Sequence, residues 1–297
     1  MKVKDHLSPL LGRVSLGPRL IDLAADRRKL AERAGLAQAR QLRPSFAPWR
    51  RRTTTVKFEF VGVDGCRAGW FCVSLNRDNA WSFALALNAR ALGDIAHSAA
   101  TVLIDIPIGL IDSGENERRC DQEARRCLGR TRAASVFPAP ARKTLGAGSY
   151  REAVDINRRQ TGREISRQAW AIVPKMREID ELLRANPALV GVVRECHPEV
   201  CFWALNGGQA MQHNKKAAEG RAERLRLLEA YFPDARVLLA QASSQYLRRQ
   251  VALDDIVDAM VVAVTTKVGA GRYRTLPDPP EHDAHRWAME IVYALPD

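Results

Sequence analysis

The sequence predicts an α/β protein on one mixed sheet: three antiparallel strands, then parallel strands, with helices on both faces and a helical insertion. Three observations lead there. Three short apolar or alternating runs, KFEFVGVDG, GWFCVSL and WSFALALN, follow one another with only turn residues between them, the pattern of an antiparallel meander. Two more apolar runs, TVLIDIPIGL and ALVGVVREC, are separated from the meander and from each other by helical stretches. A long apolar helix, DDIVDAMVVAVTTKV, follows the fifth run.

In chain order, ARALGDIAHSA reads as an amphipathic helix leading into the fourth strand. From about 112 to 187 the chain is polar and mostly helical by period. This insertion includes NERRCDQEARRCLGR and SRQAWAIVPKMREIDELLRA, the latter interrupted by Pro174. ALVGVVREC is the fifth strand. Helices follow at about PEVCFWALN, KKAAEGRAERLRLLEAYF and DDIVDAMVVAVTTKV, and RWAMEIVYAL reads as a last strand at a sheet edge.

Charge divides the chain into two parts. Residues 1–57 carry fourteen Lys and Arg against four acids, +10 of the total +12, which leaves +2 for 58–297. A near-neutral body does not by itself point to DNA or RNA. The first 56 residues read as a basic extension with one helical stretch, LIDLAADRRKLAERAGLAQAR, and no role in the folded domain. A nucleic-acid arm and an Arg-rich targeting peptide are the other readings of it. The domain is expected to span 57–297, so that a start near Val56 would already give it whole. No apolar run approaches the length that spans a bilayer. Six cysteines with no CxxC pair and no secretory signal suit reduced thiols in a cytoplasmic protein.

The chemistry-bearing residues are acids at strand and helix ends. Asp64 ends the first strand in VGVDG, and Asp105 sits within the apolar run VLIDIPIGL. Glu195, His197 and Glu199 follow the fifth strand in RECHPEV. Asp255 and Asp258, three residues apart, share one side of a helix. A carboxylate in an apolar run is costly unless an ion pair, a cap donor or a metal stabilises it. If the fourth strand lies beside the first and the last helix crosses both, Asp64, Asp105 and Asp258 converge. Two Mg²⁺ or Mn²⁺ ions about 4 Å apart would neutralise such a cluster and activate water for phosphodiester cleavage.

Each acid also has a plainer reading. Asp64 before Gly65 suits a turn, and Asp105 an ion pair with an Arg. Asp254 and Asp255 suit an N-cap and a first-turn acid. Glu195 and Glu199 can flank a turn with Pro198 at the first helical position. Asp258, in the second turn of an apolar helix, is neither a cap nor part of a solvated stripe. His197 is a metal ligand, a proton shuttle or a hydrogen-bonded loop residue. Among the bases of the insertion and beyond, most suit a solvated face. Arg132, Lys175 and Lys215 are the candidates for gripping phosphate, since each sits at a turn or helix start.

Seven stretches in order resemble one family: GVDGCRAGW, IDIPIGL, CDxxAR…LG…R…SVFPAPAR, SxQAWAIVPKMREID, ECHPEVCFWALNG, the KK…GR…R…L helix and DDIVDAMVVAVTT. It is the family described as predicted ribonuclease H-like nucleases (domain of unknown function 429), and the likeness runs from about Lys57 to the C-terminus. The resemblance implies a ribonuclease H-like fold with two divalent ions held by Asp64, Asp105, Asp255 and Asp258. It adds Glu199 as a ligand or base, with Glu195 and His197 in support. The implied activity is metal-dependent hydrolysis of a nucleic-acid or nucleotide phosphodiester. The near-neutral body fits a small nucleotide or short single strand better than a long duplex. A non-catalytic nucleotide- or metal-binding module on the same fold is the alternative. An actin-like phosphotransferase fits less well, since it would need a second Gly-rich phosphate loop that the chain lacks.

Overall fold

The computed structural model describes residues 59–296; the basic segment and its expected helix lie outside the described residues. The described chain belongs to one compact unit, 55–297. It opens with β1 (Phe60–Cys66), β2 (Gly69–Leu75) and β3 (Trp81–Ala86), each antiparallel to the one before. Helix α1 (Ala89–Ala96) is capped by the Asn88 side chain, which accepts from Ala91 N at 3.0 Å. It leads into β4 (Thr101–Ile104), which pairs parallel with β1, and β5 (Val193–Glu195) pairs parallel with β4. The sheet order β3-β2-β1-β4-β5 gives the mixed pairing that the sequence predicts.

Between β4 and β5 lies the insertion, carrying α2 (Arg119–Arg132), α3 (Tyr150–Thr161) and α4 (Arg167–Ala185). Ser149 and Ser166 cap α3 and α4 by accepting from Glu152 N and Ala169 N. Pro174 does not interrupt α4, contrary to expectation; the helix continues from Arg167 to Ala185 through it. After β5 come α5 (Pro198–Leu205), α6 (Ala218–Tyr231), α7 (Ala235–Gln245) and α8 (Leu253–Val268).

Helices cover both faces of the sheet. On one face Phe60, Phe71 and Leu103 pack with Phe202 of α5, Leu228 of α6, Leu238 of α7 and Met260 of α8. On the other, Val61, Val63, Val102 and Ile104 pack with Leu92, Ala153, Val173 and Met176 from α1, α3 and α4. Helix α8 is buried without interruption from Ile256 to Thr266, as a helix that is apolar all round must be. It reaches β1 at Gly62, where a Cβ would lie 2.1 Å from Ala263 N and 2.5 Å from Ala259 O. Only glycine permits that approach, and it sets the middle of α8, at Ala259 and Ala263, against β1.

Two elements differ from expectation. Helix α7 is not among the helices that the sequence predicts. The last strand, β7 (Ala288–Tyr293), is not an edge of the main sheet. It pairs antiparallel with β6 (Arg274–His282) in a second, two-stranded sheet, tied to the first by a bridge from Cys196 to Val292. Pro277, Pro279 and Pro280 hid β6, since proline cannot donate to a ladder.

Candidate functional site

Parallel pairing aligns Val63 with Ile104, so Asp64 and Asp105 are the next residues along two neighbouring strands. The bond from Asp105 N to Val63 O, 3.0 Å, fixes that register. Such neighbours lie about 4.8 Å apart across a sheet. Asp105 leaves the carboxyl end of β4, the edge where open α/β sheets bind ligands. Asp64 does not end its strand as expected: β1 runs on to Cys66 because Asp64, Gly65 and Cys66 stay paired with β2. Asp105 stands one residue past the end of β4, rather than mid-strand, and is half-buried. The apolar run misled because Ile106, Ile108 and Leu110 are buried without strand pairing.

Asp258 comes from the second turn of α8 and is 2% exposed. Its Oδ2 accepts from Lys215 Nζ at 2.6 Å. Lys215 precedes α6 rather than starting it, since that helix begins at Ala218. Burial pushes the Asp64 carboxyl well above the ordinary range, and Asp105, Asp258 and Asp255 add to the rise against the pull of Lys215. Burial lifts Asp258 to about 6; Lys215 opposes this, while Asp105 and Glu199 reinforce it. Burial alone would depress the Lys215 ammonium, yet Asp258, Asp64 and Asp105 together hold it above the usual lysine range. One ammonium thus faces a larger number of carboxylates.

Asp255 is placed differently. Its Oδ2 accepts from Ala252 N at 2.8 Å, closing the first turn of α8, and it does not line the cleft described below. Burial raises its carboxyl, opposed by that backbone bond. Asp254 is a first-turn residue rather than the N-cap, which is Ala252.

Glu195 lies in the grip of Arg118. Nη1 and Nη2 donate to the two Glu195 oxygens at 2.7 Å each, and the same guanidinium donates to Asp121 at 2.6 and 3.1 Å. Ile108 N adds a third donor to Glu195. Burial pushes the Glu195 carboxyl up to about 7 against Arg118, with Asp121 adding to the rise. Among the described residues, only Cys120, Asp121 and Glu195 bring three potential metal-ligand atoms within 4.8 Å of one another. Arg118 already satisfies both of those carboxylates. Glu199, 6% exposed, accepts from Arg224 Nη2 at 2.5 Å through Oε1, while its Oε2 is buried with no partner. His197 is the N-cap residue of α5; its Nε2 lies 3.3 Å from Ser135 O, and its Nδ1 is buried and unpartnered.

Of the expected phosphate-binding bases, Lys175 donates to Gly69 O at 2.6 Å and sits 4.3 Å from the Trp70 ring centroid, a cation–π contact. Arg132 Nε donates to Met211 O at 2.8 Å, leaving Nη2 buried without a partner. One cleft of about 540 Å³ is lined by Asp64, Asp105, Glu199, His197, Arg132 and Lys215 among others. Three buried polar atoms without partners, Arg132 Nη2, His197 Nδ1 and Glu199 Oε2, belong to that lining. Sequence reasoning missed Arg118 and Arg224, 2% and 1% exposed. Arg118 lies in the charged run NERRCDQEARR and Arg224 in GRAERLR, so each looks like part of a solvated face.

All six cysteines are free, and no helix among the described residues is long and apolar enough to cross a membrane. No curated protein and no solved structure matches the chain. Residues 62–282, most of its length, match the family described as "Protein of unknown function (DUF429)", and the chain belongs to that family.

Proposed function

We propose that the protein is a divalent-metal-dependent phosphodiesterase of the nuclease type on a ribonuclease H-like fold, acting on a nucleic-acid or nucleotide phosphodiester. The observation that carries this reading is the in-register pair Asp64–Asp105, joined by Asp258 from α8 and held short of cations. The donors fit Mg²⁺ or Mn²⁺: all are hard carboxylate oxygens, and Glu199 contributes one that is buried and unmatched. Asp64, Asp105, Asp258 and Glu199 would hold the metal; Asp255, closing its own helix, contributes charge from behind. Bound there, Mg²⁺ or Mn²⁺ supplies a water of lowered pKa and neutralises charge on the phosphoryl oxygens.

The chain's own residues divide the remaining work. Lys215 balances Asp258 and presents positive charge to an entering phosphate. Arg132 offers its free Nη2. Glu195 stays with Arg118 and shapes the cleft floor. A non-catalytic binding module is the second reading, and one observation favours it: Lys215 already pairs with Asp258, so part of the acidic cluster carries its own counter-charge.

Mn²⁺-dependent hydrolysis of single-stranded DNA, RNA, an RNA–DNA hybrid, a four-way junction and a bis-nitrophenyl phosphate reporter tests the proposal. Cleavage by wild type that disappears in folded Asp64→Asn and Asp258→Asn supports it. No cleavage by well-folded wild type leaves the binding module.

A further inference from the structure

The three unpartnered atoms of the cleft differ in kind. Glu199 Oε2 belongs with the acidic end. Arg132 and His197 stand on the wall built by the 3₁₀ turn Ala133–Ser135, which follows α2. That turn fixes the Arg132 main chain and meets the His197 ring. Ser135 Oγ donates to Arg132 O at 2.8 Å, and Ser135 O accepts from His197 Nε2. A carbonyl only accepts, so the tautomer that makes this contact carries its proton on Nε2 and leaves Nδ1 as an acceptor. Arg132, tethered by Nε to Met211 O, keeps a buried donor without an acceptor. Leaving buried polar groups unmatched is costly, and a ligand that matches them recovers that cost. The wanted ligand therefore offers an anionic oxygen to Arg132 and a hydroxyl or amino donor to His197. Phe137 and Ile172, half-buried in the same lining, add an apolar surface.

We infer that this wall is a subsite for one nucleotide unit of a short single strand, with Arg132 on a phosphoryl oxygen and His197 Nδ1 accepting from a sugar hydroxyl or base amino group. The choice of phosphoryl chemistry rests on the phosphodiesterase reading. Size and charge favour a short substrate over a duplex. A cleft of about 540 Å³ is of small-molecule dimensions. Specific duplex readers cover roughly 1,000–2,500 Å² of strongly basic surface, whereas residues 58–297 carry a net charge of only +2.

The test is equilibrium binding of the dinucleotide pApA to the full chain, in Ca²⁺ and separately in EDTA, beside a 20-base-pair duplex. Saturable pApA binding should weaken about tenfold in Arg132→Ala, recover in part in Arg132→Lys, and weaken severalfold in His197→Ala, with thermal melts confirming that each variant folds. Unchanged affinity in folded Arg132→Ala and His197→Ala overturns the inference, as does Arg132-dependent binding that favours the duplex. Reporter hydrolysis that persists while pApA ignores Arg132 sinks the subsite alone. Arg132-dependent pApA binding without any hydrolysis keeps the subsite and sinks the catalytic reading.

Discussion

Two groups of acids meet at one cleft, Asp258 standing behind Lys215 rather than in the lining, and are treated in opposite ways. Around Arg118, two carboxylates meet one five-donor fork, and every oxygen of Asp121 and Glu195 receives a hydrogen bond. Around Lys215, one ammonium reaches Asp258 while Asp64 and Asp105 crowd beside it, and Glu199 Oε2 has no partner. The first group is complete in hydrogen bonds, every carboxylate oxygen having a donor, although one guanidinium meets two carboxylates and burial with Asp121 lifts Glu195 to about 7. The second is short of positive charge, and burial with mutual repulsion lifts its carboxyls. Completeness marks a structural anchor; a deficit marks a place that awaits a cation or ligand.

The sharpest way to break this contrast is to remove one charge from each group. Arg118→Met strands two carboxylates in the interior. Losing one partner of a buried ion pair costs about 3–5 kcal/mol, so soluble yield and urea midpoint should fall steeply. Asp64→Asn acts with the opposite sign, because it removes a carboxyl that burial and three neighbouring acids already disfavour. The variant should match or exceed wild type in urea stability by ~1 kcal/mol while losing Mn²⁺-dependent hydrolysis by 10²-fold or more. A large loss of stability in Asp64→Asn would return Asp64 to the structural class.

Much of this arrangement is legible in the sequence, and the limit is physical. The strands follow from local periodicity; that the fourth lies beside the first, and so Asp105 beside Asp64, comes from the expected fold and is found in the sheet. Gly62, read only as part of VGVDG, is where α8 meets β1 and is what brings Asp258 to the cluster. What does not show is pairing between charges far apart in the chain. Arg118 reaches Glu195 across 77 residues, Arg224 reaches Glu199 across 25, and Lys215 reaches Asp258 across 43. No periodicity encodes these partners, and an Arg committed to a buried fork has the same neighbours in sequence as one in solvent. Glu195 therefore reads as a member of the acidic site although Arg118 has already claimed it.

Titration sharpens the comparison with a smaller effect. The native Asp258 carboxyl sits at about 6, above its ordinary 3.8. The native state therefore holds the extra proton between those values, and this contribution to stability is full below 3.8 and lost as pH rises through about 6. Asp258→Asn lacks the titration. Measured by urea melts, its stability relative to wild type should rise by ~1–3 kcal/mol between about pH 4.5 and 7.5. A flat difference would mean that Lys215 alone compensates Asp258, making the second group as complete as the first.

The smallest effect concerns Lys175, which lines the cleft yet behaves like Arg118 in having partners. Its ammonium donates to Gly69 O and lies over Trp70, whose Nε1 donates to Glu178 Oε2 at 2.9 Å. Its stem packs so closely on β1 that a Cβ on Gly65 would come within 2.9 Å of Cδ. Lys175→Met keeps the stem and removes the charge, so the expected change is the cation–π contact and one hydrogen bond, about 0.5–1.5 kcal/mol of stability. Reporter hydrolysis should stay within about twofold, since an ammonium held at Gly69 O and over Trp70 keeps its charge but must give up both contacts to reach a phosphate. A tenfold loss of turnover in a folded variant would instead move Lys175 to the side of the unmatched groups, and having partners would no longer be enough to tell anchor from site.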